Sequence, residues 1–349
     1  MSIESFIRAM PKVELNIRLE GAMRKESLLL IAEQNEVAEN VKNFDEWVRL
    51  LDHPDYQRLD EIVNATSLWL QQPEDLTRVV YDLGLMLRDQ QVRYAEVSVN
   101  PVLYTDNGIS FDQFLNAIND GRSRVERAWG VQMAWIFVIP REQPRKADDV
   151  VRWATSANGR KNGVVAIGLS EREDAQPVGQ FERAFHMAEK KLLPRTAQAG
   201  DILAAEGILE VIHSLSPDRL YGGWGAADAP DVLKLLVERR ISLSVSLARA
   251  LCLGKIATYA DYPLRHLYDE GVTLTIGSDM PLFYKSNLVD EYLAVVEHCG
   301  FALEELEELA LNAVRTSFLS GEEKEAMLAS FVDEYERLRV QHITSEQMT

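Results

Sequence analysis

The sequence predicts an α/β protein folded as a (β/α)8 TIM barrel, and three observations carry that expectation. Eight short apolar runs, most of them rich in Val and Ile, recur along the chain. Amphipathic segments with helical periodicity separate them, the pattern of strands joined by crossover helices. No Gly-rich turn follows the first run, which sets aside the doubly wound nucleotide-binding sheet.

Taken in order, the expected strands are 13–19, 92–100, 131–139, 164–170, 192–198, 220–222, 241–247 and 273–279. The sixth rests mainly on its place between better-marked neighbours. Helical patterns precede the later strands at 73–89, 111–129, 147–157, 178–190, 201–215, 229–239 and 262–270. A helical insertion after strand 1, residues 22–91, is long enough to lie over the barrel mouth. Beyond strand eight, 290–298, 303–316 and 321–340 read as extra C-terminal helices, the last part of a 284–349 helical region. With no internal repeat, low-complexity tract or linker, residues 1–349 are expected to form a single domain.

Composition narrows the function. The chain has 349 residues, 46% hydrophobic, too apolar for a disordered protein. Its 37 Lys and Arg against 55 Asp and Glu give a net charge of −18, which argues against nucleic acid as a partner. Residues 1–14 lack the apolar stretch of a signal peptide, and no run of apolar residues reaches membrane-spanning length. A cytoplasmic protein that binds no membrane is expected; a homo-oligomer is left open. Cys252 and Cys299 cannot build a disulfide framework, and 6 His are a small supply for a metal centre.

In a barrel the strand ends converge on one mouth and supply the site. Those ends carry Asn16, Arg18, Glu20, Asn100, Ser170, Glu171, Gln198, Asp201, Gly222, Ser246, Ser278 and Asp279. The segment Pro11-Lys-Val-Glu-Leu-Asn-Ile-Arg-Leu-Glu-Gly21 resembles the opening of the adenosine and adenine deaminase family, whose first strand ends in His-x-His-Leu-(Asp/Glu)-Gly. Similar stretches follow in the same order: Val92-Arg-Tyr-Ala-Glu96, Val164-Val-Ala-Ile-Gly-Leu169, Arg195-Thr-Ala-Gln-Ala-Gly-Asp201, Pro263-Leu-Arg-His-Leu267 and Ser278-Asp-Met-Pro-Leu-Phe283. The resemblance runs from about Ile7 to Leu319.

The resemblance implies a barrel that binds a purine-like small molecule at its mouth, and it also marks departures. Family members hold zinc with two first-strand histidines, a fifth-strand histidine and an eighth-strand aspartate, and the metal activates a water. Here Asn16, Arg18 and Gln198 stand at the three histidine positions, while Asp279 matches the aspartate. Zinc takes roughly four N, S or carboxylate ligands, and a guanidinium repels a divalent cation. Zinc is therefore expected to be absent, with no other cofactor. Asp201 stands one methylene short of the proton-shuttling glutamate, and Tyr221-Gly222-Gly223 lies where the family has Gly-His-Gly. Glu171 and Met280 occupy positions that contact the purine in the family, and Glu20 the position that meets the ribose. Of the histidines, only His53, in the insertion, is left open as a site residue.

Three readings follow. The first is a non-zinc pseudoenzyme that binds a purine-like ligand or a partner, with Arg18 and Asp279 forming a salt bridge where zinc would sit. The second is a metal-independent enzyme using Asp201, Glu20, Glu171 and Asp279 as acid–base groups and Arg18 as an anion clamp. The third is an active purine deaminase with rearranged metal ligands.

Overall fold

The computed structural model describes residues 2–170 and 172–343. Its eight strands are β1 (Lys12–Arg18), β2 (Val92–Val99), β3 (Gln132–Pro140), β4 (Val164–Ser170), β5 (Arg195–Ala199), β6 (Arg219–Gly222), β7 (Ser242–Val245) and β8 (Leu274–Ile276). They form one parallel sheet in sequence order from β1 to β8. Asp279, just past β8, closes the circle through a parallel bridge to Ile17 of β1. The fold is a (β/α)8 barrel, and each expected strand overlaps an observed one.

The differences lie at strand ends and have local causes. The fifth strand was expected from residue 192, but Leu192 adopts a φ of 55° in a turn, and Pro194 follows with no N–H to donate. The seventh was expected to run through 247, but Ser246 caps a helix, Leu247–Cys252, by accepting the Arg249 N–H. A helix at Ile3–Ala9, capped by Ser2, was not anticipated. The insertion contains helices Lys25–Gln34, Val37–Asn40, Phe44–Asp52, Leu59–Ser67 and Pro73–Asp89. Past β8 come Pro281–Tyr284, Leu288–His298, Leu303–Thr316 and Gly321–His342. Among the described residues, no helix is long and apolar enough to cross a membrane.

The barrel interior beneath the mouth is unusually polar. Arg219 of β6 and Glu96 of β2 are both fully buried and pair at 2.7 Å. The guanidinium also donates to the carbonyls of Leu15 at 3.3 Å and Thr316 at 2.8 Å and lies 4.5 Å from the Phe318 ring centre. A buried charge needs that degree of satisfaction, because desolvation otherwise outweighs the attraction of the pair. Above this pair, the β1–β2 register slips between Glu14 and Ile17, just before the end of β1.

Candidate active site at the barrel mouth

A cavity of about 590 Å³ opens at the C-terminal ends of the strands. Asn16, Arg18, Gln198, Asp201, Gly222, Asp279 and Met280 line it, together with Tyr56–Glu61 of the insertion. Its volume suits a small organic ligand.

One charged group lining the cavity was not foreseen. Arg249, on the short helix after β7, spans two carboxylates: its Nη2 lies 2.6 Å from Asp201 Oδ2, and its Nη1 lies 2.9 Å from Asp279 Oδ2. Nε also donates to Asp201 at 3.2 Å, and Nη1 donates to the Tyr284 hydroxyl at 3.2 Å. Burial works against the Arg249 charge, but Asp201, Tyr284 and Asp279 outweigh it and hold its pKa well above the ordinary value. The expected Arg18–Asp279 bridge is thus corrected: the guanidinium joining these carboxylates belongs to Arg249. Arg18 Nε instead lies 3.4 Å from Glu20 Oε2.

Local backbone fixes these positions. Asp279 has a φ of 55°, uncommon for a non-glycine residue, and two β1 bonds hold it there: its N–H donates to Asn16 O at 2.6 Å, and its carbonyl accepts the Arg18 N–H at 2.9 Å. Glu14, fully buried beneath, accepts the N–H and hydroxyl of Ser278 and the N–H of Asn16. Burial raises the Glu14 carboxyl to about 8 against these bonds. Gly222 has a φ of 86°, and a Cβ there would meet Asp201 Oδ1 at 2.5 Å, so only glycine leaves that carboxylate its place. Gly21 similarly admits Met280, whose Cγ would lie 2.1 Å from an added Cβ.

Other expected site residues fall elsewhere. Glu20 is 1% exposed and is not among the residues lining the cavity; it accepts the Asn100 N–H at 2.8 Å and the Tyr104 hydroxyl at 3.4 Å, tying β1 to β2. Its displacement follows from the 3-10 turn Leu19–Gly21, which breaks strand alternation after Arg18. Glu171 lies outside the described residues. His53 is exposed at the end of helix Phe44–Asp52, and none of the six histidines lines the cavity.

The adenosine deaminase family profile matches residues 11–335. The chain belongs to the adenosine deaminase family. An aminodeoxyfutalosine deaminase of Streptomyces coelicolor is 28% identical over 334 residues, covering 95% of this chain and 86% of the relative. The adenine deaminase of Arthrobacter aurescens superposes with a TM-score of 0.86 at 25% identity, over 94% of this chain and all of its own (100%). A zinc-bound amidohydrolase from Burkholderia ambifaria superposes with a TM-score of 0.89 at 24% identity, over 98% of this chain and 95% of its own.

These comparisons correct the expectation of a protein without a cofactor. Membership of the deaminase family, with a zinc-bound neighbour over nearly the whole chain, makes zinc the group this fold implies. The side chains at the mouth, as arranged, do not fit that metal. Asp201 and Asp279 turn oxygens to the Arg249 guanidinium, and Asn16 and Gln198 offer amides. Among the described residues no group of three His, Cys, Asp or Glu is placed to hold a metal ion.

Proposed function

We propose that this adenosine deaminase family member recognises a purine base or nucleoside at the barrel mouth and has little or no deaminase turnover, a pseudoenzyme in the working sense. One observation carries the reading: Arg249 engages both Asp201 and Asp279, two carboxylates that line the cavity. A general base must have a free lone pair within hydrogen-bond reach of the proton it takes. Here Asp201 Oδ2 lies 2.6 Å from a permanent cation and also accepts from Gln198 Nε2 at 3.4 Å. Family membership and the cavity volume support a purine-sized ligand, with Met280 and Val138 as apolar walls for a flat ring.

Calorimetric titration with adenine, adenosine and cytidine tests the recognition half. Saturable binding of either purine, with cytidine weaker, is expected. Equal binding of all three, or none, would sink it.

A further inference from the structure

Two buried glutamates outside the cavity hold the two segments that carry the bridge. Glu173, in the loop after β4, is 2% exposed. Its Oε1 accepts the Asp201 N–H at 2.8 Å, and its Oε2 accepts the N–H groups of Ile202 at 3.1 Å and Leu203 at 2.9 Å. Glu291, on helix Leu288–His298, is 1% exposed. Its Oε2 accepts the Leu247 N–H at 2.7 Å, and its Oε1 accepts the Ala248 N–H at 3.1 Å and the Ser246 hydroxyl at 3.0 Å. Both carboxylates thus take up peptide N–H groups at or just before the start of a helix, Ala204–Leu215 and Leu247–Cys252. Such groups have no partner within the helix and favour a negative charge.

The arrangement reaches across the barrel. Arg141, 1% exposed after β3, donates to the carbonyls of Glu173 and Gln198, both at 2.9 Å, which ties the loop after β4 to the end of β5. Asp201 is itself a donor to Glu173, and Arg249 follows directly on the segment held by Glu291.

We propose that Glu173 and Glu291 are positioning residues of the mouth, which set the separation of Asp201 and Arg249 by clamping the backbone beneath each. The proposal rests on reading the mouth as the ligand site. Both oxygens of each carboxylate face donors, so a carboxamide fills one position and turns an NH2 group on the other. The bridge then loosens even though neither Asp201 nor Arg249 has been changed.

The test is read on ligand-free protein from the Arg249 Nε–H resonance in 15N NMR, identified by its loss in Arg249→Lys. A guanidinium held by two carboxylates gives a displaced, persistent signal. Glu173→Gln and Glu291→Gln are expected to unfold cooperatively yet lose that signal or shift it toward that of free arginine. A purely structural role would lower Tm and leave the resonance in place, and that result overturns the proposal. Should a carboxamide variant fail to fold, Glu173→Asp and Glu291→Asp keep the charge but shorten the reach. A moved resonance supports the clamp and an unmoved one overturns it. Absence of purine binding by the native protein would strike the proposed function alone, since this readout needs no ligand.

Discussion

The backbone N–H of Asp279 donates to the carbonyl of Asn16 at 2.6 Å, closing the barrel at the residue whose carboxylate enters the mouth. Barrel closure and site geometry therefore depend on the same peptide. The bridge to Arg249 stands on that seam, with Asp201 on its far side.

Removing the guanidinium leaves two facing carboxylates deep in the mouth. Arg249→Ala is expected to destabilise the fold by about 3 kcal/mol, the loss typical when one partner of a buried ion pair is deleted. Urea unfolding checks this; a change near zero would mean that the carboxylates relax into water.

The same carboxylates become available to a divalent cation once Arg249 no longer competes. Zinc is expected to raise the Tm of Arg249→Gln more than that of the native protein, because a ligand stabilises the state that binds it. An equal rise in both would show that the bridge does not govern cation access.

Gly222→Ala places a methyl against Asp201 Oδ1 at a φ of 86°. Strain at a left-handed position costs about 1–2 kcal/mol, and displacement of Asp201 adds to it. The expected outcome is lower stability together with a shifted Arg249 Nε–H signal. Lower stability with an unmoved signal would separate the backbone effect from the bridge.

Burial raises Glu14 to about 8 and Glu291 to about 7, from an ordinary 4.5. For a carboxyl whose folded pKa is raised, the folded state holds its proton after the unfolded chain has released it. The stabilisation is then complete below about 4.5 and is lost as pH rises through the folded value. Stability of the native protein relative to Glu14→Gln should therefore fall between about pH 4.5 and 8 and flatten above that. Urea midpoints across this range check the sign; a parallel pair of profiles would contradict it.

Much of the barrel was readable from the chain because parallel strands, buried on both faces, show as continuous Val and Ile runs. Strand-end residues such as Asn16, Asp201 and Asp279 were readable for the same reason, since position along a strand fixes which end meets the mouth. Arg249 was not. Residues 241–247 read as strand, and the helix that carries Arg249 is only 6 residues long, anchored by Ser246 beside it and by Glu291, 43 to 45 residues away. Ser246 three residues before Arg249 was the local signal for that cap. The anchoring glutamate could be recognised only once the barrel brought the segments together. Glu20 differs in the opposite way: its place at the end of the first strand put it at the mouth, whereas in the 3-10 turn after Arg18 it accepts the Asn100 N–H.

Ammonia release measured alongside thermal shift separates purine recognition from sustained deamination. With adenosine or adenine in excess, in buffer containing zinc, Tm is expected to rise while less than one ammonia is released per protein chain over hours. Many turnovers per chain would contradict it.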